Sequence, residues 1–401
     1  MRENLGPAVA LLIALAAGGA TAQSLRPGEV VSTITAHTLA SPDPVLGADN
    51  RTHLAYELFI SNPSNLFITV DKAEAVDGAG RSLGALSGQG LKAMTRLYAG
   101  KDLTLAPGGV GFIFMDTSFA PDAAIPTAIA TRLTLTRQSQ GPDGKPAPMA
   151  PDSPFAGEAT FTGAATTVSP TRAVIIDPPL RGDHWVAVNG CCDELTSHRG
   201  AVIPVNGLPR VPERFAIDWV KLDPAGRLYT GDRAGLKSYA YFGTPVLAVA
   251  DGTVVNLYDQ APEQVPGLPA KGITPENLGG NMLVIDIGGG NFAFFAHLQP
   301  GSLKVKLGDK VRRGDVIALL GNTGNTDAPH LHFHVMDSPS PINANGRPYV
   351  FTHFTGQGLL DEASRDPVFE TGAAAVIKPG PLNGPHANQL PLNNEVVDFG
   401  G

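Results

Sequence analysis

Three histidines alternate in the segment Pro329-His330-Leu331-His332-Phe333-His334-Val335. Successive residues of a β-strand point to opposite faces, so residues i, i+2 and i+4 share one side. Read as a strand, this segment projects three imidazoles together and turns Leu331, Phe333 and Val335 towards a core. Imidazole ligates metals and exchanges protons near neutral pH, so such a face suits a metal centre on a sheet. His297 ends a second apolar run, Phe294-Phe295-Ala296, just before a Pro300-Gly301 turn. Beside the first cluster it is a candidate acid–base or supporting group. Asp218 interrupts the apolar run Phe215-Ala216-Ile217 before Trp219. A buried carboxylate is costly unless it is paired or bound to metal.

The surrounding sequence predicts short strands that hold these groups. A Gly/Asn/Thr loop, Gly321-Asn322-Thr323-Gly324, leads into the histidine strand through Pro329. Gly243-Thr244-Pro245-Val246 through Ala250-Asp251-Gly252 to Val255 reads as strand, turn and second strand. Gly308-Asp309, Val311 and Gly314 mark another strand–turn–strand unit. Nearer the N-terminus, Leu54 to Ile60 has the alternation of a half-buried strand. Asn62-Pro63-Ser64-Asn65 makes a turn, and Leu66–Val70, Gly111–Met115 and Ala130–Thr136 are further strands. Short strands with Gly/Pro turns point to an Ig-like β-sandwich over residues 25–167. Its His37 and His53 form no catalytic constellation, so a binding or positioning module is expected. Residues 138–156 read as a loop or linker, residues 168–356 as a second domain, and residues 357–401 as a Gly/Pro/Asn-rich tail. That tail is expected to be partly disordered, with one hairpin candidate at Ala373–Ile377.

Composition agrees with a mainly β protein. The 401 residues include 47 Gly and 35 Pro, which favours many turns over long helices. The net charge is −8 with no basic run, which argues against nucleic acid as a partner. Arg2, the apolar stretch Ala8–Ala17 and Ala20-Thr21-Ala22 read as a secretory signal peptide over residues 1–22. The apolar stretch is too short for a comfortable span, so the mature chain is expected to be exported, periplasmic or extracellular, without a membrane span. Cys191 and Cys192 are adjacent and cannot form a C-x-x-C motif. A vicinal disulfide, an intermolecular bridge and two free thiols all remain open.

The order of these pieces between about residues 180 and 350 resembles the LytM/lysostaphin-type M23 zinc peptidases. The resemblance implies a two-layer antiparallel β fold holding one zinc per chain. In that family the ligands are the His and Asp of an H-x-x-x-D motif and the second His of H-x-H. Carried over, Asp218 and His332 are ligands, His330 is the general base, and His297 binds the oxyanion or orients the base. The first histidine is missing from its place. Arg214 stands four residues before Asp218, and arginine stays protonated and does not ligate metal. His198, in Ser197-His198-Arg199-Gly200, precedes a Pro/Gly-rich insertion and is the candidate third ligand. His184 is a weaker candidate, and His334 lies on the right face but far along the strand. Alternatively, Arg214 fills the site and pairs with Asp218. The resemblance implies an exported zinc endopeptidase acting on peptide cross-links of peptidoglycan. The competing reading is a degenerate relative that binds cell wall or activates another cell-wall hydrolase as its partner.

Overall fold

In the N-terminal part, β1 (Thr52–Ser61), β2 (Phe67–Val76), β3 (Val110–Phe119) and β4 (Ala128–Gln140) are the long strands. The computed structural model describes residues 25–26 and 28–401, so the signal peptide expected at residues 1–22 lies outside the described residues. β1 and β3 pair antiparallel from Thr52↔Phe119 to Ser61↔Val110. β2 and β4 pair antiparallel in a second sheet. Leu54, Tyr56, Leu58 and Ile60 of β1 meet Ile68, Val70, Leu133 and Leu135 between the two sheets, which makes a sandwich.

The reverse face of β1 departs from expectation. Alternation normally leaves that face polar and wet. Here Ala55 joins a core built mostly from the C-terminal half, and Glu57 is fully buried. Phe112 and Phe114 form a further cluster, with Phe59, Leu195 and Val202 packed on it. β1 is therefore buried on both faces, not half-buried. The stretch 138–156 is likewise no simple linker. Its first residues complete β4, and Pro146–Ala147 pairs back onto Ser139–Gln140.

In the C-terminal part the main strands are β5 (Trp185–Val188), β6 (Ile217–Lys221), β7 (Gly252–Tyr258) and β8 (Asn281–Asp286). They are followed by β9 (Phe292–Leu298), β10 (Leu331–Met336), β11 (Phe354–Leu360) and β12 (Glu395–Asp398). One antiparallel sheet runs β7-β8-β9-β10-β6-β5-β12-β11. Pro245–Leu247 pairs with Val316–Leu319 in a small second layer. Val246, Ile317 and Ala318 of that layer pack in one core with Leu283, Phe295 and Phe333 of the large sheet. Pro245–Leu247 and β7 thus belong to different sheets, where the sequence suggested a single hairpin.

The segment 357–401 is not a loose tail. β12 pairs with both β5 and β11, and Val396, Val397 and Phe399 enter the main core. Ile377–Lys378 pairs with Leu359–Leu360 of β11, so Ala373–Ile377 forms no hairpin of its own. Ser32–Gly401 makes one compact unit. Among the described residues no helix is long and apolar enough to cross a membrane.

Candidate metal centre

β6, β10 and β9 lie side by side, and their register sets the site. Asp218 of β6 stands opposite His332 of β10, and Ala296 of β9 stands on the other side of His332. His330, His332 and His334 project into one groove, as alternation requires, while Leu331, Phe333 and Val335 enter the core. His297 reaches the same groove by a different device. In a regular strand it would share the core face of Phe295. A register shift in the β8–β9 pairing and a left-handed backbone (φ 62°) at His297 re-aim its ring. That ring centroid then lies 4.5 Å from the ring of His330.

Asp218 is the hub. Its Oδ1 lies 2.9 Å from His332 Nδ1 and 3.3 Å from His330 Nε2. Its Oδ2 lies 3.2 Å from His198 Nε2 and accepts a 2.8 Å hydrogen bond from Asn189 Nδ2. His198 therefore enters the site although it sits 20 positions before Asp218. The remaining ring nitrogens have partners of their own. His198 Nδ1 donates to Ala216 O at 3.0 Å, and His330 Nδ1 to Ala328 O at 2.8 Å. His297 Nδ1 donates to Thr323 O at 2.7 Å. His332 Nε2 is 2.9 Å from Nδ1 of His334. Those bonds select which nitrogen of each ring faces the groove.

The electrostatics follow from one buried anion among imidazoles. Burial opposes the charge on Asp218, but His198 and His330 hold its carboxyl well below the usual range. Burial likewise works against protonated His198, yet the Asp218 charge raises it to about 9. His330 is raised too, against burial, by Asp218. His297 is pushed well below 6.5 by burial and by the neighbouring His330 and His332. His334 is lowered by burial and by His332 and His198.

His198, Asp218 and His332 bring ligand atoms within 4.8 Å of one another. Two imidazole nitrogens and a carboxylate oxygen, with ring orientation fixed from behind, fit a zinc ion that keeps an open position. A second group, His53, Asp116 and Cys192, is equally close. Its sulfur is tied up in the Cys191–Cys192 disulfide, and both nitrogens of His53 face carboxylates, Asp116 at 2.8 Å and Asp49 at 3.2 Å. The disulfide joins the two neighbours, which settles the alternatives left open by their adjacency.

Two alternatives to His198 find no place in the geometry. Arg214 does not pair with Asp218. Its guanidinium turns away to Glu57 of β1, with Nη2 2.5 Å from Oε2. His184 stands half-exposed beside Asp183 and takes no part. The sequence reading missed Asn189 altogether, since an isolated Asn before Gly190 carries no signal. It noted Thr323 and Gly324 only as loop residues. Gly324 (φ +82°) abuts the backbone of Gly280, where a Cβ would collide. The neighbouring Thr323 carbonyl is the one that accepts from His297 Nδ1.

The site opens into a groove of about 1090 Å³. Its walls include Met282, Phe294 and Ile342, and its acidic lining residues include Glu213, Glu276 and Asp327. Among the described residues no Lys or Arg lines it.

Residues 232–344 match Peptidase family M23. The match includes His297, His330, His332 and His334 but begins beyond His198 and Asp218. The chain is 30% identical over 134 residues to the glycyl-glycine endopeptidase ALE-1 of Staphylococcus capitis, covering 33% of each chain. It is 34% identical over 102 residues to the peptidoglycan DD-endopeptidase ShyA of Vibrio cholerae, covering 25% of this chain and 20% of that one. The similarity thus spans about a third of the first relative and a fifth of the second. The solved catalytic domain of lysostaphin from Staphylococcus simulans aligns at 21% identity and a TM-score of 0.22, over 41% of this chain and 88% of that one.

Proposed function

We propose that this protein is an exported zinc metalloendopeptidase that cuts peptide cross-links of peptidoglycan. The observation that carries the proposal is the convergence of His198, Asp218 and His332 on one point of a groove that also receives His330 and His297. The names of the relatives, a glycyl-glycine endopeptidase and a peptidoglycan DD-endopeptidase, support the substrate class. An acidic, partly apolar groove suits an amine-bearing peptide and repels a polyanion such as nucleic acid.

In this reading His198 Nε2, an Asp218 oxygen and His332 Nδ1 would hold one zinc. Zinc, when bound, supplies a Lewis acid for the scissile carbonyl and makes water more acidic. His330 is the general base. Its Nδ1–H is committed to Ala328 O, so Nε2 is the atom that faces the groove and can take a proton. His297 stays neutral, and its Nε2 side is free to support the oxyanion or to orient His330. Asn189 holds Asp218 through Oδ2. His334 receives the Nε2–H of His332, which leaves Nδ1 for the metal.

The position of His198 beside Asp218 favours the catalytic reading over the degenerate one. The degenerate reading is motivated by Arg214 in the place of the first ligand, and that side chain pairs with Glu57 and leaves the groove to His198. The test is zinc content after loading and removal of excess, together with release of soluble peptides from cross-linked peptidoglycan. About one zinc per chain with release is expected. Absence of either overturns the proposal.

A further inference from the structure

Glu57 belongs to the N-terminal sandwich, yet its carboxylate is buried against two arginines of the C-terminal half. Arg199 Nη1 donates to Oε1 at 2.7 Å. Arg214 donates from Nε to both oxygens, at 3.1 and 3.2 Å, and from Nη2 to Oε2 at 2.5 Å. The three side chains are 0–1% exposed. A buried ion group is seldom more stabilising than apolar packing of similar volume. Stability alone is therefore a weak reason for the triad, and what it orients is a better one.

Arg199 directly follows His198. Besides Glu57 it grips Met115 O of β3 through Nη2 at 3.1 Å and Cys192 O through Nε at 3.3 Å. Arg96, another sandwich residue, donates to Gly200 O at 2.9 Å. On the other side, Arg214 lies two residues before Ala216, whose carbonyl fixes the His198 ring. The two segments that frame His198, 198–200 and 214–216, are thus both anchored on one carboxylate of the sandwich. His198 has no strand of its own to position it.

We propose that Glu57 is a positioning residue for His198, and that the sandwich completes the metal centre instead of serving as a separable wall-binding module. This rests on the zinc reading above. A loop ligand held from outside its own domain makes metal binding depend on the interface, whereas Asp218 and His332 are held by their sheet.

The test is titration of the full chain with cobalt(II), whose visible bands report the ligand set, alongside circular dichroism and thermal melting. Glu57→Gln should weaken cobalt binding by about tenfold or more and change the bands while the secondary structure persists. Glu57→Asp should recover part of the loss. The combined variant Glu57→Leu, Arg199→Met and Arg214→Leu removes all three charges and keeps a packed interface. It should melt near the wild type and still bind cobalt weakly. Arg96→Ala, at an exposed position, should show a smaller loss and decides the matter if the buried variants do not fold. Wild-type affinity and bands in a folded Glu57→Gln, in the combined variant or in Arg96→Ala would overturn the proposal. A wild-type chain that takes up no cobalt overturns the zinc reading and this proposal with it. A wild type that binds, with variants that bind equally, overturns this proposal alone.

Discussion

The site is assembled from two unlike regions. His332, with His330 and His334 beside it, rides on β10, flanked by β9 and β6 and backed by a core containing Leu331, Phe333 and Val335. His198 rides on an irregular segment held by side chains, with Arg199, Arg214 and Glu57 behind it. The first arrangement derives its precision from backbone hydrogen bonds in a central sheet. The second derives it from a buried ion group that spans the two halves of the chain. The comparison teaches that a candidate metal centre can draw one side chain from local regularity and another from long-range packing, and that the two should respond differently to change.

The largest effect should come from the ligands themselves. His198→Ala and His332→Ala should each abolish zinc binding and activity, because two remaining protein ligands are too few for a catalytic site. Zinc retained in His198→Ala would break the comparison by removing the loop from the site. Next, His330→Ala should keep its zinc and lose about 10²–10⁴ in turnover, as expected of a general base. Metal analysis beside kinetics separates it from the ligand variants.

Arg214→His probes the position where a ligand was expected. It should create no metal site and should destabilise the fold by up to about 3–5 kcal/mol, since the buried Glu57 loses one of its two arginine partners and keeps only Arg199. Denaturant unfolding measures that cost, and raised zinc affinity would contradict the geometry. Asn189→Ala should weaken zinc binding by about 10-fold, because Asp218 loses the donor that orients it. Competition with a chromogenic chelator reads this directly.

The smallest effect is one of pH. Burial raises the Glu57 carboxyl, but Arg214 and Arg199 outweigh it and hold it below its ordinary 4.5. A group depressed in the folded state stabilises above its unfolded value and loses that contribution as pH falls through the folded one. The wild type should therefore lose stability below about pH 4.5, and the triply apolar variant should lose less. Equal acid profiles by thermal melting would show that the triad contributes nothing to acid sensitivity.

Much of the chemistry was legible in the residues. Strand alternation placed His330, His332 and His334 on one face, and an acid among apolar neighbours singled out Asp218. The sandwich was legible from Leu54–Ile60 in its inward residues only. A period of two says which residues share a face, not whether the other face meets water. Glu57 in that alternation looked like the solvated side of a half-buried strand, whereas its face is covered by the C-terminal half. The stretch 357–401 misled for a similar reason. Gly, Pro and Asn predict turns, but the few apolar residues between them, Val396, Val397 and Phe399, suffice to add β12 to a sheet that was already formed.

The sequence by itself determined the β class, the histidine face and the carboxylate that faces it, because those follow from short-range periodicity and from the cost of burying charge. Tertiary structure alone decided that His198 is the neighbour of Asp218 and that Arg214 is not. The 19 residues between His198 and Asp218 carry no periodic pattern that fixes their path. That path is set by Glu57, more than 140 positions away from Arg199, and only folding brings the two together.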